Sequence, residues 1–274
     1  MKRSSRLEAP LRPRDPLFNS SVQKALAMLE TFGGERRTLS LAELALAAGM
    51  STSSAQRCIH TLVRLGYLRR DARLRRWVLT PRALSLTEAY LSGHALLDHA
   101  TTHLIELNQA SGESVSLSEP DGTDMVFIAR FPSLRPFHIH MPVGRRLPMY
   151  CTASGRAYLS ALPPALARRI LGRSRAAALT PTTLTDPQQI WKRVQAARES
   201  GYAWSDQEYY RGDLTIAAPV LGEDGQPLAA LNISAPTSRW TLAQLRAKLA
   251  PLLLQSAQAA SLGYTMRSQR RVAK

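Results

Sequence analysis

Residues 39–79 read LSLAELALAAGMSTSSAQRCIHTLVRLGYLRRDARLRRWVL, and this stretch decides the fold of the N-terminal part. Ser40 and Glu43 are spaced to satisfy each other's backbone N–H groups as a capping box, and Leu39 and Leu44 fit a hydrophobic staple, so a helix starts here. It runs to Ala48 and stops at Gly49, and Ser51 caps the next helix after a minimal turn. Two short helices so joined form a helix-turn-helix. In the second, Ala55, Ile59 and Leu62 mark an inner face, while Ser53, Gln56, Arg57, His60 and Arg64 fall on the opposite side. After Gly66, Tyr67–Arg70 and Arg75–Leu79 flank Asp71-Ala72-Arg73, which reads as a β-hairpin with Arg69, Arg70, Arg73, Arg75 and Arg76 around its tip. That hairpin is a wing.

Upstream, Ser20 or Ser21 can cap a first helix with Val22, Ala25, Leu26 and Leu29 on one face, ending at Gly33-Gly34. Residues 1–18 hold Lys2, Arg3, Arg6, Arg12 and Arg14 with three prolines and nothing to bury, so a flexible basic arm is expected. Downstream, Thr80-Pro81 supplies an N-cap and a proline at the first helical position, opening a linker helix that is assigned to 81–98.

The chain has 274 residues, 36 Lys plus Arg against 20 Asp plus Glu, and a formal net charge of +16. Residues 1–80 carry +9 of this, from fifteen basic and six acidic residues. Such an excess favours polyanionic partners through counterion release, nucleic acid above all. With 45% hydrophobic residues the chain can bury a core. Cys58 and Cys151 are too few for a disulfide framework or a cysteine-based zinc site, which fits a reducing, cytoplasmic home. The N-terminus lacks an apolar signal region and no run approaches a membrane span, so secretion and membrane insertion are disfavoured.

From 99 to 265 the pattern alternates between strands and helices. Strands are expected at Ser114–Ser118, Met125–Phe131, Phe137–Met141, Leu214–Leu221 and Leu228–Ser234, with turns at Asp121-Gly122 and Asp224-Gly225. Helices are expected at His94–Ala110, Thr152–Leu162, Pro164–Leu171, Pro187–Ser200 and Thr241–Leu262, leaving 266–274 as a basic tail. The fold class is α+β. The domains are 1–18 arm, 19–80 winged helix-turn-helix, 81–98 linker helix, 99–265 effector-binding domain and 266–274 tail.

Ordered motifs along nearly the whole chain, from about Asn19 to Gly263, resemble the IclR family of bacterial transcription regulators. They are Leu41-Ala42-Glu43-Leu44-Ala45, Ala48-Gly49-Met50-Ser51, Leu65-Gly66-Tyr67-Leu68, Ser111-Gly112-Glu113, Val143-Gly144-Arg145-Arg146-Leu147-Pro148, Ala153-Ser154-Gly155-Arg156-Ala157, Gly201-Tyr202 and Ile216-Ala217-Ala218-Pro219-Val220. Tyr150-Cys151-Thr152 and Asp206-Gln207-Glu208 resemble the aromatic-acid subgroup, including regulators of protocatechuate and 4-hydroxybenzoate genes. Arg156, where the family usually has Lys after the glycine, follows that branch. The resemblance implies a GAF-like α/β sensing domain, a double-stranded DNA operator, a small organic acid effector, self-association into a dimer and then a tetramer, and contact with RNA polymerase. It implies no membrane partner and no cofactor.

On the DNA side, Ser53, Gln56, Arg57 and His60 are expected to reach major-groove base edges, Gln suiting adenine and Arg guanine. Ser51 and Thr52, at the helix N-terminus, either contact phosphate or serve as caps. The wing arginines add phosphate or minor-groove contacts. For the effector, the resemblance implies backbone N–H groups of Ala153 and Ser154 at the helix beginning near Thr152, with Thr215, Asn232 and Ser234 as side-chain donors, and Thr152 and Asp206 are assigned to the same site. Ser205 stands where the family is often acidic. Arg130 and Arg156 are either carboxylate partners of the ligand or structural ion partners of Glu208 and Asp206. Met149, Tyr150 and Ile216 are either walls for an aromatic ring or plain core.

Other chemistries are weighed and set aside. His138, His140 and Cys151 lack the further ligand and spacing of a zinc site, and His94, His99 and His103 read as solvated positions. An enzyme with Cys151 as nucleophile would need a base whose geometry nothing fixes. A regulator of a small aliphatic acid such as glyoxylate or pyruvate is the nearer alternative.

Overall fold

A computed structural model describes residues 16–33, 38–133, 135 and 141–272, by backbone alone from 262 onward. The basic arm residues up to Arg14 lie outside the described residues, as do His138 and His140 and most of the strand expected at Phe137–Met141. Contacts divide the chain into two compact units at Gly93/His94.

The first unit is built from α1 (Ser20–Leu29), α2 (Leu41–Ala47), α3 (Thr52–Arg64) and a two-stranded antiparallel ribbon of β1 (Leu68–Arg70) and β2 (Trp77–Leu79). Asn19, rather than Ser20 or Ser21, caps α1, its side chain accepting from the N–H groups of Ser21 and Val22. The Ser40/Glu43 capping box forms in full. Leu39, Leu44, Ala55, Ile59 and Leu62 close one core with Met28 and Phe32. Here the helix face expected for α1 is corrected: Val22 and Leu26 are about half exposed, at 54% and 50%, while Met28 is fully buried. The stretch after Thr80 is a 3-10 turn, Pro81–Ala83, followed by α4 (Leu84–Leu91).

The second unit centres on a six-stranded antiparallel sheet in the order β5-β4-β3-β8-β7-β6. Its strands are β3 (Ser114–Asp121), β4 (Asp124–Phe131), β5 (Arg146–Pro148), β6 (Ala203–Asp206), β7 (Asp213–Leu221) and β8 (Pro227–Pro236). The tight turns at Gly122 and Gly225 take positive φ, as a hairpin requires. The helices are α5 (Ala95–Ser111), α6 (Ala153–Ala161), α7 (Pro164–Arg173), α8 (Pro187–Ser200) and α9 (Leu242–Val272). Helices α5 and α9 pack on each other and on β3 and β7, while α6 packs on β7, β8 and α8. Central strands are therefore covered on both faces, and Leu214, Ile216, Ala217 and Ala218 are all buried.

Three expectations change. The short strands β5 and β6 join the sheet edges, and α9 continues past Leu262 through residues assigned to the tail. His94 is not a solvated position: its Nδ1 accepts from Leu97 N–H at 3.3 Å and its Nε2 lies 3.0 Å from Glu119.

Candidate DNA-reading face and effector pocket

The first unit turns one face of α3 to solvent. Ser51, Thr52, Ser53, Gln56, Arg57 and His60 are exposed, opposite buried Ala55, Ile59 and Leu62. Ser51 Oγ accepts from Ser54 N–H at 3.3 Å, so this hydroxyl is the helix cap. Asp71 holds the wing turn by accepting from the N–H groups of Arg73 and Leu74, at 3.0 and 2.8 Å. Around it Arg69, Arg70, Arg73 and Arg75 are exposed. Arg75 has φ +53°, a left-handed conformation that costs an L-residue about 1–2 kcal/mol.

Arg76 is corrected from its expected place at the wing tip. Its guanidinium donates to Glu43 and to the Thr38 carbonyl, tying the base of the wing to the cap of α2. The hydrogen bond from Arg76, with those from Ser40, holds the Glu43 carboxyl down at about 2.

In the second unit a small pocket, about 30 Å³, lies against the sheet and the start of α6. Eight residues expected there line it: Arg130, Thr152, Ala153, Ser154, Ser205, Thr215, Asn232 and Ser234. Phe127, Met141, Leu147, Tyr209 and Asp213 complete the lining and were not expected. The strand register explains the convergence. Ser205 pairs with Thr215 and Thr215 with Ser234, so adjacent strands β6, β7 and β8 present their hydroxyls in one row. Arg130 pairs with Ser116, and Ser116 with Asn232, in the next row.

Helix α6 is fixed closely. Thr152 Oγ1 accepts from Gly155 N–H at 3.3 Å and donates to the Pro148 carbonyl at 2.7 Å. A Cβ on Gly155 would sit 2.2 Å from Met149 Cα, so only glycine lets the helix approach this backbone. The N–H groups of Ala153 and Ser154 belong to the first turn, ahead of the helical hydrogen-bond ladder, where the helix dipole favours negative charge.

Three expected residues stand elsewhere. Arg156 is fully buried and bound by two 2.6 Å hydrogen bonds to Glu208, with a third from Nε to the Tyr150 carbonyl at 3.0 Å. Its charge is already answered, so it acts as the structural ion partner and not as a ligand contact. Asp206 does not line the pocket and accepts from Gln207 Nε2 at 3.1 Å. Met149, with Ile216 and Tyr150, is core; the Tyr150 hydroxyl donates to the Ala177 carbonyl at 2.7 Å.

Cys151 is fully buried, and burial pushes its thiol up to about 12. At neutral pH it is protonated and enclosed, which removes the nucleophile that an enzyme reading needed.

Electrostatics in the pocket turn on one pair of charges. Asp213 is half-buried and lines the pocket. Removal from water pushes it above the ordinary carboxylate range, against hydrogen bonds from Ser234 and Thr215 and the charge of Arg130. The same cause pulls Arg130 down, against the charge of Asp213. Arg130 Nη1 also donates to Ser116 Oγ at 3.0 Å. Beyond Asp213 and Ser234 lies a second cavity of about 310 Å³, lined by Glu113, Arg211, Arg239 and hydroxyl side chains, with Ala235 and Pro236 as its apolar members.

Among the described residues no helix is long and apolar enough to cross a membrane. The IclR helix-turn-helix domain family matches residues 21–72, and the bacterial transcriptional regulator IclR C-terminal family matches 88–262. The Pca regulon regulatory protein of Pseudomonas putida is 34% identical over 245 residues, 89% of this chain and 84% of that protein. The p-hydroxybenzoate hydroxylase transcriptional activator of Acinetobacter baylyi is 32% identical, across 88% and 90% of the two chains. A solved transcriptional regulator from Rhodococcus sp. RHA1 superposes with a TM-score of 0.77 at 33% identity, across 90% of this chain and 98% of that one. These relatives are regulators and not enzymes, and their match runs through both units. With a helix-turn-helix in the first unit and a lined pocket in the second, the chain belongs to the IclR family of bacterial transcription regulators.

Proposed function

We propose that this regulator senses an aromatic carboxylic acid in the small pocket of its C-terminal unit and controls genes for the breakdown of such acids. The observation that carries this is the convergence on one pocket of a helix N-terminus, a row of hydroxyls and the apolar side chains of Phe127, Met141 and Leu147. A carboxylate fits the first-turn N–H groups of Ala153 and Ser154, and a ring fits the apolar walls. The similarity to the regulators of Pca and p-hydroxybenzoate genes supports protocatechuate or 4-hydroxybenzoate as effector.

At about 30 Å³ the pocket is well below the roughly 150 Å³ that accepts a benzene ring in an engineered protein cavity. Binding therefore has to move its walls, and a ligand that selects a wider arrangement of this unit is what a switch requires. On the DNA side, Gln56 and Arg57 read base edges in a palindromic operator, and the exposed wing arginines hold the flanking backbone. Apolar side chains left exposed on α1 and α4, Val22, Leu26, Leu84, Leu86 and Tyr90, support self-association as a dimer that assembles into a tetramer. The cytoplasm is the working compartment, and RNA polymerase is a further partner at the promoter.

The test is thermal unfolding with a panel of acids, because a ligand of the folded state raises the midpoint. Protocatechuate and 4-hydroxybenzoate are expected to raise it. A shift with glyoxylate or pyruvate, and none with any aromatic acid, would replace this reading with the aliphatic one.

A further inference from the structure

Positive charge in the second unit is concentrated on one pair of helices. Residues 164–200, which hold α7 and α8, carry seven Lys and Arg against Asp186 and Glu199, while the rest of 94–262 carries nine basic and eleven acidic residues. Three arginines elsewhere in the unit are answered by carboxylates, Arg146 by Asp121 and Asp124, Arg156 by Glu208 and Arg239 by Glu113. Those on α7 and α8 are not. Arg168, Arg169, Arg173, Arg175, Lys192 and Arg198 are all exposed, and among the described residues none of the six forms an ion pair. Asp186 is occupied as the cap of α8, accepting from Gln188 N–H at 2.7 Å.

Two contacts make these residues one surface. The Arg168 guanidinium stacks 4.1 Å from the centre of the Trp191 ring, and Arg198 donates to the Leu162 carbonyl just ahead of α7, so α7 lies beside α8. Arg169 and Arg173 are one helical turn apart on the same face of α7. Like charges held this close repel, and a polyanion relieves that repulsion while releasing its own counterions. The core of a protein–protein interface is apolar and aromatic, yet no large apolar side chain between 164 and 200 is exposed. A surface for nucleic acid is polar and basic instead. A regulator that already holds duplex DNA through its first unit makes a further weak contact to the same duplex intramolecular, at high effective concentration.

We propose that α7 and α8 form a second DNA-contacting surface, which holds the phosphate backbone of the duplex without reading its sequence. It adds to the affinity set by the winged unit and makes binding more steeply dependent on salt. Neither effect depends on which acid the pocket takes.

The experiment is a salt titration of DNA binding by the full-length protein, read by fluorescence anisotropy on a random-sequence duplex of about 60 base pairs, nearly six helical turns. Arg169→Gln with Arg173→Gln should lower the slope of log affinity against log salt by about two, one for each phosphate contact. Arg211→Gln with Lys248→Gln removes the same charge from exposed positions outside the patch. That pair should leave the slope within about 0.5 of the unmodified value, because salt screens charges that make no contact. Every variant is checked for the melting transition and subunit count of the unmodified protein. Should the first pair disturb either, Arg175→Gln with Lys192→Gln probes the same surface with the same expected loss. An unchanged slope in a folded patch variant overturns the inference and leaves an acidic protein as the occupant. Equal losses from the patch and control pairs overturn it as well, since net charge and not contact would then set the slope.

Discussion

The two units place their polar side chains in opposite ways. In the first, Gln56, Arg57, His60 and the wing arginines stand outside and the helix turns Ala55, Ile59 and Leu62 inward. In the second, Thr152, Ser154, Arg156, Ser205 and Asn232 are buried. An outward polar face needs nothing from its neighbours, so each side chain can be exchanged without unfolding the unit. A buried polar group needs a partner for every charge and lone pair, and its loss is felt as stability. Binding chemistry and stability are separable on α3 and entangled around the pocket.

The hardest blow to this contrast is Arg156→Ala. It strands the Glu208 carboxylate in the interior, and breaking such a pair by removing one partner costs about 3–5 kcal/mol. Tryptophan fluorescence in a urea titration reads this directly, since Trp191, Trp204 and Trp240 lie in the second unit and Trp77 in the first. An unchanged midpoint would mean that the Arg156–Glu208 pair contributes little and that the contrast is drawn too sharply.

Next in size is the double variant Gln56→Ala with Arg57→Ala. Each bidentate base contact discriminates by about 1–3 kcal/mol, so operator affinity should fall by at least about tenfold. The urea midpoint should move by no more than about 0.5 kcal/mol, as for surface changes generally. Retained operator affinity would remove this face of α3 from recognition.

The wing sharpens the comparison within a single unit. Arg73→Ala should lower the salt slope of DNA binding by about one, the share of one phosphate contact. Arg76→Ala should leave that slope alone and loosen the wing, because its guanidinium is occupied by Glu43 and Thr38. A slope change for Arg76 and none for Arg73 would reverse their roles.

The smallest effect is the pH dependence of that anchor. The carboxyl of Glu43 is depressed to about 2 in the folded state, so its contribution is present at neutral pH and is lost as the pH falls through the ordinary carboxylate range towards 2. The difference in midpoint between the unmodified protein and Glu43→Gln should therefore be small at pH 7 and close on acidification. A difference that grows in acid would contradict the assignment.

Local signals were legible and distant ones were not. The Ser40/Glu43 box and the positive φ of Gly49 are four-residue and one-residue statements, and α8 runs over the expected Pro187–Ser200. The face of α1 was misread because Ala25 and Leu29 belong to two overlapping stripes, one completed by Val22 and Leu26 and the other by Met28 and Phe32. Packing in the unit selects the second. Strands β5 and β6 have three and four residues and carry Arg, Pro, Ser and Asp, too short and polar to announce themselves. Family resemblance supplied most of the pocket, but Asp213 and Tyr209 enter it through the pairing of β6, β7 and β8 and the loop between β6 and β7. Arg156 and Glu208 are 52 positions apart, and their pairing was open in the sequence until the fold brought them together.

The close approach of Gly155 to Met149 bears on how such a protein diversifies. It pins one wall of the pocket against the Met149 backbone, while the opposite wall is a mosaic of single side chains from neighbouring strands. Ser205 is tied to the first wall, its Oγ donating to the Cys151 carbonyl at 3.1 Å, whereas Thr215 and Ser234 donate to Asp213. A laboratory wishing to retune this chain as a biosensor should leave residues 149–156 and Ser205 intact, randomise Thr215, Asn232 and Ser234, and screen each variant for stability as well as response.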